Sequence, residues 1–314
     1  MPINAGALPS QPMRLLHCAC GTGLTIPGTE HIDLPAVPTR KDLRFLDELA
    51  KGCLGEGDKG ASLSEIQAQP DVAHLGAPQL APQQPDERLR VIVSGTDAAL
   101  GAVLTRMMRA DYLWAEVAYV PTDPTSPAAI CWGIPAGAAD AAAFAAEAPV
   151  VPAACVRTDA GQVVAGSASI YRGDGSEEFA GEIIVDSDTL VLNPGSEPSA
   201  RFYGTFGARL VPTMREPGIA CSPLTTPLAA TGRTSRRSPQ QLEWLVSTPG
   251  LRWLARGAGV APGQTDSSRV LTGRAVQAGG ESISLLVDAT PHPRPLTSTT
   301  LYRHLRDMQS VRAP

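Results

Sequence analysis

Residues 89–104 read LRVIVSGTDAALGAVL, and residues 130–144 read ICWGIPAGAADAAAF. In each stretch an apolar run is followed by a turn of small residues with an aspartate, and then by an alanine-rich segment. The pattern predicts a buried strand, a tight turn and a helix in both places. Such a turn brings backbone N–H groups and a helix N-terminus to the carboxyl end of a strand, where a phosphate group can bind.

The surrounding sequence predicts an α/β domain followed by a β domain. A strand is expected at 89–93, a helix at 98–109, a strand at 115–120, and a further strand, turn and helix at 129–146. This alternation is typical of a doubly wound α/β layer. After Pro149, short apolar runs are separated by Gly, Asp, Asn and Pro at intervals of about ten residues, which predicts antiparallel β structure.

The remaining segments are less regular. Residues 1–88 are predicted to form a partly ordered N-terminal segment, with a strand at 13–18, a helix within 39–52 and a polar, Pro- and Gln-rich linker over 55–88. The α/β domain would then cover 89–149, and the β domain 150–290 with an irregular insert at about 225–268. Residues 291–314 are expected to be a tail that docks on the body of the protein.

Composition excludes several classes of protein. The chain has 314 residues, a hydrophobic content of 43% and a net charge of −5. No apolar run approaches the roughly 20 residues that span a bilayer, and the acidic balance does not favour nucleic acid as a partner. The six cysteines form no C-x-x-C pair, and the first twelve residues do not resemble a signal peptide. We therefore expect reduced thiols and a cytoplasmic location. A homodimer is compatible with the sequence.

The motifs and their order resemble the NAD kinase/diacylglycerol kinase-like superfamily of lipid and dinucleotide kinases. That superfamily has an α/β domain with a G-G-D-G-T turn, a second turn of the form P-x-G-T-x-N-D, and a β-sandwich that ends in a D-G-E strand. Here the first turn is SGTDA over residues 94–98, the second is GIPAGAAD over 133–140, and residues 287–290 read VDAT. The resemblance covers roughly residues 89–290 and implies an α/β domain followed by an antiparallel β-sandwich.

The resemblance also implies a function. A member of this superfamily would transfer a phosphoryl group from ATP, with Mg²⁺, to a hydroxyl group of a lipid or a dinucleotide. Asp97 and Asp288 are the catalytic candidates, and Asp97 is also the candidate metal ligand. The candidate nucleotide-binding residues are Ser94, Gly95, Thr96, Gly133, Pro135, Gly137 and Asp140.

The sequence departs from the superfamily motifs at chemically important positions. Thr96 stands at the aspartate position of the first turn, and Thr290 replaces the glutamate that serves as general base. Asp97 and Asp140 are also typical helix-start residues, and the glycines are also typical of plain tight turns. The alternative is therefore a catalytically inactive kinase-like protein that binds a nucleotide or a lipid, or acts as a scaffold. A third interpretation is an unrelated α/β plus β protein.

Overall fold

The computed structural model describes residues 12–54, 64, 65, 68, 76–195, 202–229, 233, 234, 237–248, 250–255 and 258–314. The chain divides into two compact units. The first unit is Met1–Ala153 together with Leu305–Pro314, and the second is Ala154–His304.

The first unit contains a six-stranded sheet. Its strands are β1 (Met13–Cys20), β2 (Glu30–Leu34), β3 (Arg88–Gly95), β4 (Glu116–Pro121), β5 (Val150–Ala153) and β18 (Met308–Val311). Their order in the sheet is β2-β1-β3-β4-β18-β5. Every neighbouring pair is parallel except β18 and β5, which are antiparallel. The helices of this unit are α1 (Phe45–Cys53), α2 (Asp97–Arg109), α3 (Pro127–Trp132) and α4 (Ala138–Glu147).

Strand β3 lies in the middle of this sheet and positions the first motif. Seven of its eight residues, from Leu89 to Gly95, are buried, as expected for a parallel strand with both faces covered. Helix α2 follows it after a single residue, Thr96, and buries Leu100, Val103, Leu104 and Met107 at helical spacing. The short connection fixes the start of α2 at the carboxyl end of β3.

The second unit is an antiparallel β-sandwich around one hydrophobic core. Its central strand, β15, is 13 residues long and pairs with β7, β8, β16 and β17. Its register with β17 shifts between Gly279 and Ile283. The part of β15 before this shift pairs with β8, and the part after it pairs with β7. The strands of this unit that precede the insert are β6 (Val156–Thr158), β7 (Ala168–Arg172), β8 (Gly181–Val185), β9 (Asp188–Asn193), β10 (Gly207–Pro212) and β11 (Ile219–Leu224). Those that follow it are β14 (Leu271–Gly273), β15 (Ala275–Val287), β16 (Thr290–Pro291) and β17 (Leu296–Arg303).

The predicted insert forms a small cluster of its own. It contains β12 (Arg233–Thr234), β13 (Ala258–Gly259), α5 (Pro239–Ser247) and a 3₁₀ helix over Arg252–Ala255. Strands β12 and β13 are parallel to each other. The buried side chains of this cluster are those of Leu242, Leu245, Ala255 and Val260.

The predicted fold class, an α/β domain followed by an antiparallel β-sandwich, is confirmed. One element is wrong: the strand expected from residue 129 is helix α3. Ser126 is its N-cap, with its Oγ accepting a hydrogen bond from the Ala129 N–H at 3.3 Å, and Pro127 occupies the first turn. Proline at this position favours a helix start, and Ile130, expected inside the sheet, is 68% exposed.

The segment boundaries also differ from the expectation. Strands β1 and β2 belong to the same sheet as β3, so residues 13–34 are part of the α/β unit. The predicted tail is divided between the units, because β17 pairs in the sandwich and β18 lies between β4 and β5. Much of the predicted linker, residues 55–63 and 69–75, lies outside the described residues, as do residues 1–11. None of the helices within the described ranges is both long and apolar enough to cross a bilayer.

Candidate phosphate site at the carboxyl ends of β1, β3 and β4

Gly95 ends β3 and turns the chain into α2. Its φ is +155°, a conformation that L side chains rarely adopt. A Cβ atom at this position would also lie 3.0 Å from Cys20 Cβ and 3.1 Å from the Cys20 carbonyl oxygen. Glycine is therefore required for two independent reasons, and the turns after β1 and β3 pack directly against each other.

Thr96 caps the N-terminus of α2. Its Oγ1 accepts a hydrogen bond from the Ala99 N–H at 3.3 Å, and its backbone carbonyl accepts one from Leu100 at 3.1 Å. The side chain is exposed. A helix of 13 residues carries a partial positive charge at this end, so the geometry suits a bound anion.

Asp97 is buried, and hydrogen bonds occupy both of its carboxylate oxygens. Oδ1 accepts from the Tyr119 hydroxyl at 2.9 Å and the Ser126 hydroxyl at 2.6 Å, and Oδ2 accepts from the Ala128 N–H at 3.0 Å. The carboxylate thus joins the start of α2 to the start of α3. Asp97 does not fit the role of a magnesium ligand, because Mg²⁺ would have to displace the groups that donate hydrogen bonds to its carboxylate. Within the described parts of the chain, no group of three or more His, Cys, Asp or Glu side chains could hold a metal ion.

Ser94 does not face a ligand directly. Its side chain is 1% exposed, and its Oγ lies 2.8 Å from His17 Nε2 and 2.8 Å from Thr22 Oγ1. His17 is fully buried on β1, and its Nδ1 lies 3.1 Å from His31 Nδ1 on β2. Burial lowers the pKa of His17 to about 4, with a further lowering from His31 and an opposing effect of Asp33. Ser94 is therefore an inner member of a polar network that also includes the half-buried Thr22.

The structure places the predicted second turn away from the first. Gly133 ends α3 in the left-handed conformation, and Gly137 precedes α4, so neither follows a strand. A Cβ atom on Gly133 would lie 2.6 Å from the Cβ of Ala313, which follows β18, and β4 separates β18 from β3. Pro135 lies within this turn, between the two helices. Asp140 is exposed, and its Oδ2 would lie 2.7 Å from a Cβ on Gly137, so it folds back over the start of α4.

A different turn lies beside Gly95. The last residue of β4 and the five residues that follow it, 121–126, read PTDPTS. Gly95 pairs with Pro121, and its carbonyl oxygen accepts hydrogen bonds from the Thr122 N–H at 2.9 Å and the Thr122 hydroxyl at 3.1 Å. The sequence predicts a Pro-rich loop here but does not indicate a site, because the next apolar run resembles a buried strand. The signal was available in the strand prediction at 115–120, since a turn must follow a strand that ends at Pro121.

Asp288 lies in the second unit and has a structural role there. Its φ is +48°, and it forms the turn between β15 and β16 with Ala289. Its Oδ2 accepts from the Ala165 N–H at 2.8 Å, and its Oδ1 accepts from the N–H groups of Gly166 at 2.8 Å and Ser167 at 3.0 Å. Both carboxylate oxygens are thus occupied by backbone N–H groups that hold the neighbouring loop in place. The geometry therefore gives no support to Asp288 as the general base.

Comparisons with known proteins identify the fold. No family model matches the sequence, and neither does any curated protein. Two solved structures from Bacillus anthracis str. Sterne are similar over nearly their full lengths, each covering 96% of this chain and 97% of its own. The first, a diacylglycerol kinase, has a TM-score of 0.50, and the second, provisionally described as one, has a TM-score of 0.53. Sequence identity is 10% in both cases.

A further solved structure is an NAD kinase from Archaeoglobus fulgidus in complex with ATP. Its TM-score of 0.35, with 9% identity over 71% of this chain and 82% of that chain, is too low to support an argument about this chain. The two Bacillus structures establish the architecture, and at their level of identity they establish the architecture alone. The chain has the diacylglycerol kinase-like fold that its motifs predict.

Proposed function

We propose that this protein binds the phosphate groups of a nucleotide, with ATP as the leading candidate, at the turns that follow β1, β3 and β4. The observation that carries the proposal is the construction of the Gly95–Thr96 turn. Gly95 allows the turns after β1 and β3 to approach each other, and the exposed Thr96 caps the start of α2. Backbone N–H groups and the helix dipole at such a turn favour an anion.

Thr96 offers a test in which stability and phosphate binding can be separated. Asp and Asn are both good N-cap residues, so Thr96→Asp and Thr96→Asn should each preserve α2. Only the aspartate places a negative charge beside the bound phosphates, where like charges repel. The measurement is the thermal unfolding midpoint with and without millimolar ATP and Mg²⁺, because a ligand that binds only the native state raises the midpoint.

We expect ATP to raise the midpoint of the wild-type protein and of Thr96→Asn, and to have little effect on Thr96→Asp. At a free ATP concentration of 100 times Kd the stabilisation would be about 2.7 kcal/mol. Absence of any shift in the wild-type protein would exclude a nucleotide site. An equal shift in both variants would place ATP somewhere other than the α2 N-terminus.

The second candidate function is ATP-dependent phosphoryl transfer to a lipid or dinucleotide hydroxyl, as in the superfamily. The fold favours it, whereas the engaged carboxylates of Asp97 and Asp288 favour the inactive alternative. Phosphoryl transfer requires charge neutralisation and a residue that positions or deprotonates the nucleophile. Incubation with labelled ATP and either diacylglycerol or NAD would decide, with Thr96→Asp as the binding-deficient control. Product that forms with the wild-type protein and not with this variant would establish the kinase.

A further inference from the structure

Two tryptophan side chains of the insert are exposed. Trp244 on α5 is 60% exposed, and Trp253 in the 3₁₀ helix over Arg252–Ala255 is 63% exposed. The other two tryptophans of the chain, Trp114 and Trp132, are 8% and 0% exposed. A tryptophan side chain has a large apolar area, so an exposed one forgoes the free energy that burial would supply. Two of them on one small cluster indicate a surface that binds another molecule.

The packing of the insert does not require the Trp244 indole. The core of the insert is formed by Leu242, Leu245, Ala255 and Val260. Trp244 lies on the opposite side of α5 from Leu242, because two residues correspond to about 200° around a helix axis. Its indole is therefore directed away from this core and is available to a partner.

The insert carries a charge opposite to that of the rest of the protein. Its residues 230–260 include five arginines and one glutamate, and no lysine, aspartate or histidine, which gives a net charge of +4. Because the whole chain carries −5, the other residues together carry −9. The arginines are Arg233, Arg236, Arg237, Arg252 and Arg256. So much positive charge in a short segment of an acidic protein attracts an anionic surface to this segment alone.

The contacts of two charged side chains of the insert are compatible with this attraction. Arg237 is exposed, and its Nη1 donates to the Leu254 carbonyl oxygen at 3.0 Å. Its charge is therefore held beside the 3₁₀ helix that contains Trp253. The single carboxylate, that of Glu243, accepts a hydrogen bond from the Phe202 N–H at 2.9 Å, so it is held against the backbone of a segment outside the insert.

We propose that the insert docks on the surface of a bilayer that contains anionic lipids, through Trp244, Trp253 and its arginines. Tryptophan favours the boundary between hydrocarbon and water, where its ring is covered and its N–H still reaches polar groups. Arginine forms paired hydrogen bonds with phosphate groups. Each basic residue near an anionic bilayer strengthens binding roughly fivefold. This docking surface goes beyond the proposed nucleotide site and does not depend on it.

Two other partners match the insert less well. Single-stranded nucleic acid also binds aromatic and basic side chains, but it does so along an extended basic groove. The charge of −9 outside residues 230–260 opposes such a groove. A second copy of the insert would bring like charges together, which is unfavourable. A bilayer requires only one local surface, and it covers the indoles as well as pairing with the arginines.

The test is tryptophan fluorescence of the full chain with vesicles. The vesicles contain phosphatidylglycerol and a phosphatidylcholine with brominated acyl chains, which quench an indole that they contact. Because Trp114 and Trp132 are buried, quenching reports on Trp244 and Trp253. We expect quenching by these anionic vesicles. Binding should be at least roughly tenfold weaker to vesicles of brominated phosphatidylcholine alone, and equally weakened at about 1 M salt, where the Debye length is about 3 Å.

Substitutions of the tryptophans test whether the two indoles make the contact. Trp244→Gln and Trp253→Gln should each lose part of the quenching and bind more weakly, and the double variant should lose the quenching. Leu192→Gln is the matched control, because it removes an apolar side chain of the same unit that is 70% exposed, on β9. This control should bind the vesicles as the wild type does.

Substitutions of the arginines test the contribution of charge. The double variant of Arg233→Gln and Arg236→Gln should bind anionic vesicles about 25-fold more weakly, from two charges at roughly fivefold each. The matched control is the double variant of Arg215→Gln and Arg294→Gln, which removes the same charge from exposed positions of the second unit outside the insert. It should bind as the wild type does, and equal weakening in both double variants would show that only the net charge matters and would overturn the docking surface.

The comparison of vesicles with the wild-type protein decides the proposal even if a variant folds poorly. No quenching by anionic vesicles, or equal quenching without phosphatidylglycerol, would overturn it. Quenching by polyuridylate in place of anionic vesicles would assign the insert to nucleic acid. Protection of the indoles from iodide that increases with protein concentration, without vesicle binding, would assign it to a second copy. None of these measurements contains ATP, so failure of the nucleotide site would leave this inference intact.

Discussion

At the scale of single residues, both the backbone conformation of Gly95 and its close neighbours require glycine at this position. Its φ of +155° and the 3.0 Å approach to Cys20 Cβ leave no room for a side chain. We expect Gly95→Ala to lower the free energy of unfolding by about 1–3 kcal/mol, the cost of holding a residue in such a backbone region. The measurement is urea unfolding at equilibrium. Gly23→Ala is the matched control, because a Cβ there meets nothing within 4 Å, and an equal loss in both variants would contradict the argument.

Asp97 offers a direct contrast between a structural and a metal-binding role. Removal of its carboxylate in Asp97→Ala leaves the buried Ala128 N–H without its acceptor and removes the acceptor of the Ser126 hydroxyl. We expect a loss of about 1–3 kcal/mol in the free energy of unfolding, measured without nucleotide or metal. The exposed Asp140 provides the control, with an expected loss of about 0.5 kcal/mol in Asp140→Ala. If Asp97→Ala were as stable as the wild type in the absence of ligand, the structural role would be wrong.

The lowered pKa of His17 predicts that the free energy of unfolding depends on pH. Its pKa in the folded protein is lowered to about 4 from an ordinary value of 6.5, so the unfolded chain binds the proton first as the pH falls. Stability should therefore decrease as the pH falls from about 6.5 toward 4, by roughly 2 kcal/mol from this group. Urea midpoints of the wild type and His17→Gln across this range would measure it. The variant should show the shallower decrease, and parallel curves would refute the assignment.

The sequence predicted the local backbone around the candidate phosphate site, whereas it did not predict the directions of the side chains there. The spacing around Gly95 predicted a strand, a turn and a helix, and all three are present. The sequence did not predict that the side chains of Ser94 and Asp97 point inward. In a tight turn, neighbouring residues can point to opposite sides, so a shift of one position decides whether a side chain is buried or exposed. The polar network that joins Thr22, His17 and Ser94 depends on strand pairing across some seventy residues, which local patterns do not contain.

At the scale of elements, helix α3 shows where an apolar run misleads. A run of four or five apolar residues fits a buried strand and a short helix equally well, so its flanks must decide. Here the flanks are Ser126 and Pro127 before the run and Gly133 after it, which together form helix start and stop signals. The sequence analysis therefore predicted the second turn at 133–140, whereas the turn that lies beside Gly95 is at 121–126.

Ser126 links helix α3 to helix α2, and substitution of Ser126 tests this link. Its Oγ accepts from the Ala129 N–H and donates to Asp97. Ser126→Ala should lower the free energy of unfolding by about 1–2 kcal/mol, whereas Ser126→Thr should lose little. In the double variant with Asp97→Ala the losses should fall short of additivity by on the order of 1 kcal/mol, because both substitutions remove one shared contact. Strict additivity in chemical denaturation would show that the two residues act independently.

At the scale of the whole molecule, the α/β unit is built from two distant parts of the chain. Strand β18 lies between β4 and β5, although the entire second unit separates it from β5 in sequence. Pattern analysis predicted a docking element near the end of the chain, but could not place it between two strands, because nothing local in MQSV specifies its neighbours.

Truncation tests this arrangement. A chain that ends at His304 lacks β18, so β4 and β5 should expose unpaired edges. We expect amide hydrogen exchange in β4 and β5 to become fast, while the β-sandwich core strands keep their protection. A chain that ends at Arg312 retains β18 and should exchange as the wild type does. Full protection of β4 in the shorter chain would contradict the assigned pairing.

The position of β18 also bears on the order in which the protein is assembled. Domains commonly fold as units while the chain is being synthesised, starting from the N-terminus. Here the sheet that begins at Met13 is incomplete until residues 308–311 have been synthesised. Every strand of the sandwich has been synthesised once the chain reaches Arg303. The unit whose synthesis starts first is therefore completed last. Its first five strands must wait with open edges at β4 and β5, which makes the α/β unit the part of this protein that most needs protection from aggregation during synthesis.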